Sequence, residues 1–298
     1  MRFLGILLLC VVSCAAGNFD VPLDYSKSKS GDSRLFLNKY PMSEDNPDPI
    51  ILDTSSAKTV DTLLPFILNG KATEPVEVVN NGESVDVSVI KKLPTGDSYL
   101  TGGVFGTNKY LYKKTVQLWT NDTTGNAGTM VDGESYPMNI EGMFYNEKYG
   151  SFENAQNKTD GLVKLLFLFK ICPTPNLLFE ITYSRILQKA RKEGSRPKTI
   201  LGDVIAWFAS IIPPTLPTYI YPGTYIDDIT GQRSDGVPVI LIPNIPLEMC
   251  FSENQFKETY GSFKDSSGQP LTRIKSPHSS NGRPILKAGG LFLNIVRP

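Results

Sequence analysis

Glu141 stands in "YPMNIEGMFYNEKYG" (136–150), where an apolar strand pattern runs into a polar loop. A carboxylate among aliphatic neighbours has two chemical uses. It serves as a general base whose pKa is raised by its surroundings, or it contacts a cation. The competing reading, adopted here, is a carboxylate hydrogen-bonded to polar groups in a wet cleft. Asp227, followed by Asp228, supplies further acids. With Glu141 they would make an oxygen-rich cation site or an acid and base for hydrolysis, but adjacent acids on a loop are usually solvated. No Gly-rich nucleophile elbow accompanies them. The chain holds a single histidine, His278, in "SPHSSNG". A metal centre of three imidazoles is therefore excluded within one chain by composition alone.

The elements that would position these residues are mostly strands. In "VEVVNNGESVDVSV" Val85, Val87 and Val89 alternate with polar residues, and the Asn-Asn-Gly between the halves signals a hairpin. "LVKLLFLFKI" (162–171) and "VPVILIPNIPL" (237–247) are near-continuous apolar runs, expected of central strands covered on both faces. Two helices are expected. "FEITYSRILQKARKEG" aligns Phe179, Tyr183, Ile186, Leu187 and Ala190 and stops at Gly194; "TILGDVIAWFASII" is closed by Pro213 and Pro214. Trp119 and Trp207 read as core, while Lys170 and the basic run from Lys189 to Lys192 read as surface.

The 298 residues carry 30 Lys+Arg against 30 Asp+Glu, so no net field draws nucleic acid. No repeat or linker divides the chain. "MRFLGILLLCVVSCAAG" (1–17) has the layout of a secretory signal, with cleavage after Ala16 or Gly17 and one domain over 18–298. No stretch is long and apolar enough for a membrane-spanning helix, and the mature protein is expected outside the cell. Its two cysteines, Cys172 and Cys250, most simply form one bridge there, the alternative being two buried thiols. Asn121 in "NDT" and Asn157 in "NKT" match the glycan acceptor pattern.

From about residue 24 to the C-terminus the chain resembles the α-class carbonic anhydrases. "PDPIILDTSSA" (47–57) is similar to Q-S-P-I-x-I-x-T, "VVNNGESVDV" (78–87) to N-N-G-H-x-x-x-V, and "LTGGVF" (100–105) to L-x-G-G-P-L. "YNEKYGSFENAQNKTDGLVKLLFLFKI" (145–171), "YIYPGTY" (219–225), "FSENQF" (251–256) and "NGRPI" (281–285) follow the family pattern in order. The fold this implies is mainly β: one large twisted, mostly antiparallel sheet of about ten strands with short peripheral helices.

The resemblance also implies a zinc site and shows where it fails. The family holds zinc with an H-x-H pair on one strand, whose side chains share a face, and a third His on the next. Aligned on Trp119, Val116 and Leu118 take the first two places, and a slip of one residue offers Gln117 and Trp119 instead. Glu141 takes the third place and Asn139 that of the acid orienting a ligand His. Glu83 replaces the proton-shuttling His, Ile226 the Thr that orients zinc-bound hydroxide, and Asp227 follows it. Cys172 would end a central strand and Cys250 precede the last helix, a pairing different from the one usual in secreted members. The resemblance thus implies a relative without zinc or other cofactor that does not hydrate carbon dioxide. It would act as a binding or structural module toward a protein or small-molecule ligand. The alternatives are a non-zinc hydrolase using cleft carboxylates and a storage or extracellular-matrix protein.

Overall fold

The computed structural model describes residues 49–59, 65–71, 74–82, 84–90, 97–180, 184–200, 217–227, 230–242, 250–271, 278–279, 285–288 and 291–296. The expected signal segment 1–17, Glu83, Trp207 and Asp228 lie outside them. The strands, in chain order, begin with β1 (Ile50–Leu52), β2 (Lys58–Thr59), β3 (Phe66–Lys71), β4 (Pro75–Asn80), β5 (Val85–Val89) and β6 (Tyr99–Gly102). They continue with β7 (Tyr110–Trp119), β8 (Met130–Val131), β9 (Met138–Asn146), β10 (Leu162–Phe169), β11 (Ile171–Cys172) and β12 (Lys198–Ile200). The last are β13 (Thr218–Ile226), β14 (Arg233–Ile242), β15 (Phe251–Ser252), β16 (His278–Ser279), β17 (Leu286–Ala288) and β18 (Leu291–Val296).

One sheet of 13 strands dominates, with a path of β12-β4-β5-β7-β9-β10-β14-β13-β17-β2; β18 joins through β3, and β3 through β6. It exceeds the expected ten because β3, β6 and β18 branch from β7. Most pairings are antiparallel, but β10 runs parallel to β14, β17 to β2 and β18 to β3. A small parallel sheet, β16-β1-β8, stands apart.

The β4–β5 hairpin forms where the Asn-Asn-Gly signal puts it, with Val78 opposite Val87 and Gly82 at φ +87°. A side chain there would meet positive φ and also the carboxylate of Glu193, 2.7 Å from an added Cβ. Asn80, fully buried, locks the hairpin end: its Nδ2 donates to the carbonyls of Arg191 and Lys264, each at 3.3 Å, and its own carbonyl accepts from Gly194.

Of the first expected helix, residues 181–183, Tyr183 among them, lie outside the described residues; on either side stand Leu177–Phe179 and Arg185–Leu187, the latter continued by the 3₁₀ turn Gln188–Ala190. These pieces bury Phe179, Leu187 and Ala190 as the spacing requires. The second expected helix lies largely outside the described residues, and its start is corrected. Thr199 and Ile200 belong to β12, paired antiparallel with Val76 and Pro75, so sheet pairing overrides helical spacing there. A further helix, Glu253–Tyr260, opens on a capping box between Ser252 and Gln255.

Alternation divides the central strands between two cores. Val163, Leu165, Phe167 and Phe169 of β10 enter the larger core with Val85, Val87, Trp119, Ile140, Ile240 and Phe256. Leu166 and Leu168 point the other way, among Ile50, Leu52, Tyr219, Tyr221, Val239 and Leu241. Residues of β1 and β8 thereby roof the second face. Cys172 and Cys250 are disulfide-bonded with Cα atoms 5.5 Å apart, beside the paired β11 and β15.

Two predictions follow from these contacts. Replacing both cysteines by Ala opens a loop of 78 residues' separation and lowers stability in urea by about 4 kcal/mol. Burial raises the Tyr112 phenol above its ordinary pKa of 10.0, while its OH donates to the Val87 carbonyl at 2.8 Å. The native state then keeps a proton that the unfolded chain loses above pH ~10, so this contribution is whole below that pH and disappears as pH rises toward the folded value. Urea midpoints above pH 10 fall less steeply in Tyr112→Phe than in the native chain.

Candidate functional site

The register of the central strands lines up one row on the second face. Asp86 of β5 faces Val116 of β7, Val116 faces Glu141 of β9, and Glu141 faces Leu166 of β10. Leu118 lies opposite Asn139, two residues along. Side chains from positions 116, 118 and 141 therefore issue on one face from adjacent strands. The alternative positions Gln117 and Trp119 point to the opposite core: Trp119 packs on Tyr260 and Phe263, and the Tyr260 OH reaches the side chain of Gln117 at 3.3 Å.

The floor of this row is apolar. Val116 and Leu118 pack with Ala127, all three buried, which contributes roughly 2 kcal/mol for each of the two larger side chains. Asn139 is 1% exposed, presses against Gly128, and its Oδ1 has no hydrogen-bond partner among the described residues.

Into this setting the fold brings a charge that strand patterning hides. Lys164 occupies the second face of β10, opposite Met143 and diagonal to Glu141. Its Nζ lies 3.9 Å from Glu141 Oε2, with side chains only 6% and 13% exposed. Lys114 and Asp86 repeat the arrangement two strands away, at 3.6 Å and also largely buried. Both pairs are cross-strand diagonals, where long side chains meet. The site thus contains two neutralised ion pairs on an aliphatic floor.

Pro49, Thr129, Glu141, Lys164, Leu166, Tyr221 and Val239 enclose a cavity of about 10 Å³. That is room for roughly one water molecule. Among the described residues no three of His, Cys, Asp or Glu come together to hold a metal ion. The row offers one carboxylate, held by an ammonium, beside two aliphatic side chains with no donor atom, and so does not fit a zinc ion, which requires nitrogen, sulfur or oxygen ligands in a tetrahedral set.

The remaining sequence candidates fall elsewhere. Ile226 is half exposed at the end of β13, opposite Arg233. Asp227 organises the turn that follows: it accepts from Thr230 N and Oγ1 at 2.8 and 2.9 Å, from Gln156 Nε2 at 2.7 Å and from the Tyr225 hydroxyl. Neither lines the cavity at Glu141. His278 lies in β16, its backbone paired with Ile50. Asn121 and Asn157 are exposed, and the Asn157 side chain accepts from Gln232. Lys170 pairs with Glu134 at the surface.

Lys164 is the residue sequence reading missed. The signal was a lysine inside "LVKLLFLFKI": a charge in a strand buried on both faces requires a partner. Removing one member strands the other in a low-dielectric site. Lys164→Met and Glu141→Gln should each destabilise the chain by about 3 kcal/mol, and the double variant by much less than their sum. Urea unfolding of the four proteins measures this coupling.

A profile of the eukaryotic-type carbonic anhydrase family matches residues 38–219. Carbonic anhydrase 1 of Mus musculus is 26% identical over 250 residues, covering 80% of this chain and 87% of that protein. Carbonic anhydrase 6 of Bos taurus is 29% identical over 131 residues, 43% of this chain and 38% of that protein. The mainly β architecture agrees with the family fold, and among the described residues no helix is long and apolar enough to cross a membrane. This chain belongs to the eukaryotic-type carbonic anhydrase family.

Proposed function

We propose that this chain is a secreted, non-catalytic member of the family, one that has lost the zinc ligands and serves as a binding or structural module. The observation carrying this reading is the row Val116–Glu141 with its partner Lys164. At the places the resemblance assigns to imidazoles stand two aliphatic side chains and a carboxylate already neutralised by a buried ammonium. With one histidine in the sequence, no realignment supplies the missing nitrogens.

Hydration of carbon dioxide needs hydroxide at neutral pH, which the family generates by lowering the pKa of zinc-bound water. Neither Glu141 nor Lys164 supplies that Lewis acid. Among the described residues the space beside Glu141 is small: a cavity of about 10 Å³ leaves no room for an organic ligand between Glu141 and Tyr221. A small ligand finds more space at a hollow of about 420 Å³ beside Trp119, Thr120, Lys257 and Gln269, with the glycan acceptor Asn121 in its lining. A protein partner would use the outer surface. The hydrolase alternative has less support, because Glu141 and Asp227 are committed to different partners.

Protein purified from its native secretion should carry well under one zinc per chain by elemental analysis. In a stopped-flow pH assay it should leave the hydration of carbon dioxide at the buffer rate. A zinc-loaded, active preparation would overturn the proposal.

A further inference from the structure

We propose that Lys164 closes the cleft to metal ions, so that restoring imidazoles at the vestigial positions does not by itself restore metal binding. This inference rests on the reading above, that the native cleft holds no metal, and names the residue that enforces it.

Three observations carry it. The first is register: Val116 faces Glu141 directly, and Leu118 is two residues along the same face. His at 116 and 118, with the carboxylate of Glu141 from the next strand, would complete two imidazoles and one carboxylate, a donor set sufficient for zinc. The ligand count is therefore only two substitutions short.

The second is that the remaining carboxylate is taken. Lys164 Nζ sits 3.9 Å from Glu141 Oε2, both groups largely buried. A metal ion must displace that ammonium from Glu141 or share the carboxylate with it. The third is distance. A zinc ion about 2 Å from the carboxylate oxygen would lie no more than about 6 Å from an ammonium that is 3.9 Å from the same oxygen. Beside Leu166, Tyr221 and Val239 and only 6% exposed, the lysine has little water to screen it. The ammonium thus supplies the positive charge that the buried carboxylate demands and repels any second cation.

The test compares the native chain, Val116→His/Leu118→His, the same pair with Lys164→Met, and Lys164→Met alone. Each is titrated with zinc by calorimetry and with cobalt by visible absorption, whose intense bands report tetrahedral coordination. The triple variant should bind one ion at least 100-fold more tightly than the two-histidine variant, and the native chain and Lys164→Met alone should bind none. Equal affinity of the two-histidine and triple variants, with the native chain metal-free, would overturn the role of Lys164 while leaving the proposed function standing. So would absence of binding by a triple variant that keeps its near-ultraviolet circular dichroism. One-to-one binding by the native chain would overturn the proposed function as well. Where Lys164→Met prevents folding, Lys164→Gln, which retains a donor for Glu141 without the charge, makes the same comparison.

Discussion

A strand buried on both faces has no side on which a charge can meet water, and this constraint shapes the centre of the sheet. β10 places every residue in the interior, alternating between the larger core and the roofed second face. A lysine in such a strand must find its counter-charge within reach of one side chain. The register of β9 provides it, by setting Glu141 diagonal to Lys164. The carboxylate in turn tolerates its aliphatic neighbours because the ammonium is there.

Among the described residues the second face is covered in a related way. The small sheet β16-β1-β8 lies over it, and Ile50, Leu52 and Val131 pack against Tyr219, Tyr221 and Leu241. Val116 and Leu118 then complete the floor with Ala127. Where polar ligands would require an open, solvated cleft, aliphatic side chains favour its collapse. Fold and family are kept, with aliphatic side chains packed at positions 116 and 118.

Much of the architecture was legible in the sequence because its signals are local. Asn-Asn-Gly specified a hairpin, the apolar runs specified two-sided burial, and the spacing of Phe179, Leu187 and Ala190 specified one helical face. β12 was not legible, since Thr199 and Ile200 take their conformation from β4, more than a hundred residues away. The cleft was partly legible. The resemblance brought Val116, Leu118 and Glu141 to one place, but the diagonal contact to Lys164 depends on the β9–β10 register, which no local pattern encodes. Asp227 shows the opposite failure: its chemistry suggested a site, whereas its hydrogen bonds to the Thr230 backbone and hydroxyl are those of a turn.

The parallel seam between β10 and β14 has a consequence for biosynthesis. Leu165 and Ile240 sit side by side in the sheet yet are separated along the chain by the whole excursion through β11, β12 and β13. A polypeptide emerging from its N-terminus can zip β9 onto β10 early, but the opposite margin of β10 stays bare until β14 arrives. For that interval an aliphatic ribbon is open to pairing with any extended neighbour. The molecule's most vulnerable moment thus precedes completion of its interior, and chaperone shielding matters most while the stretch from the end of β10 to the end of β14 is being extruded.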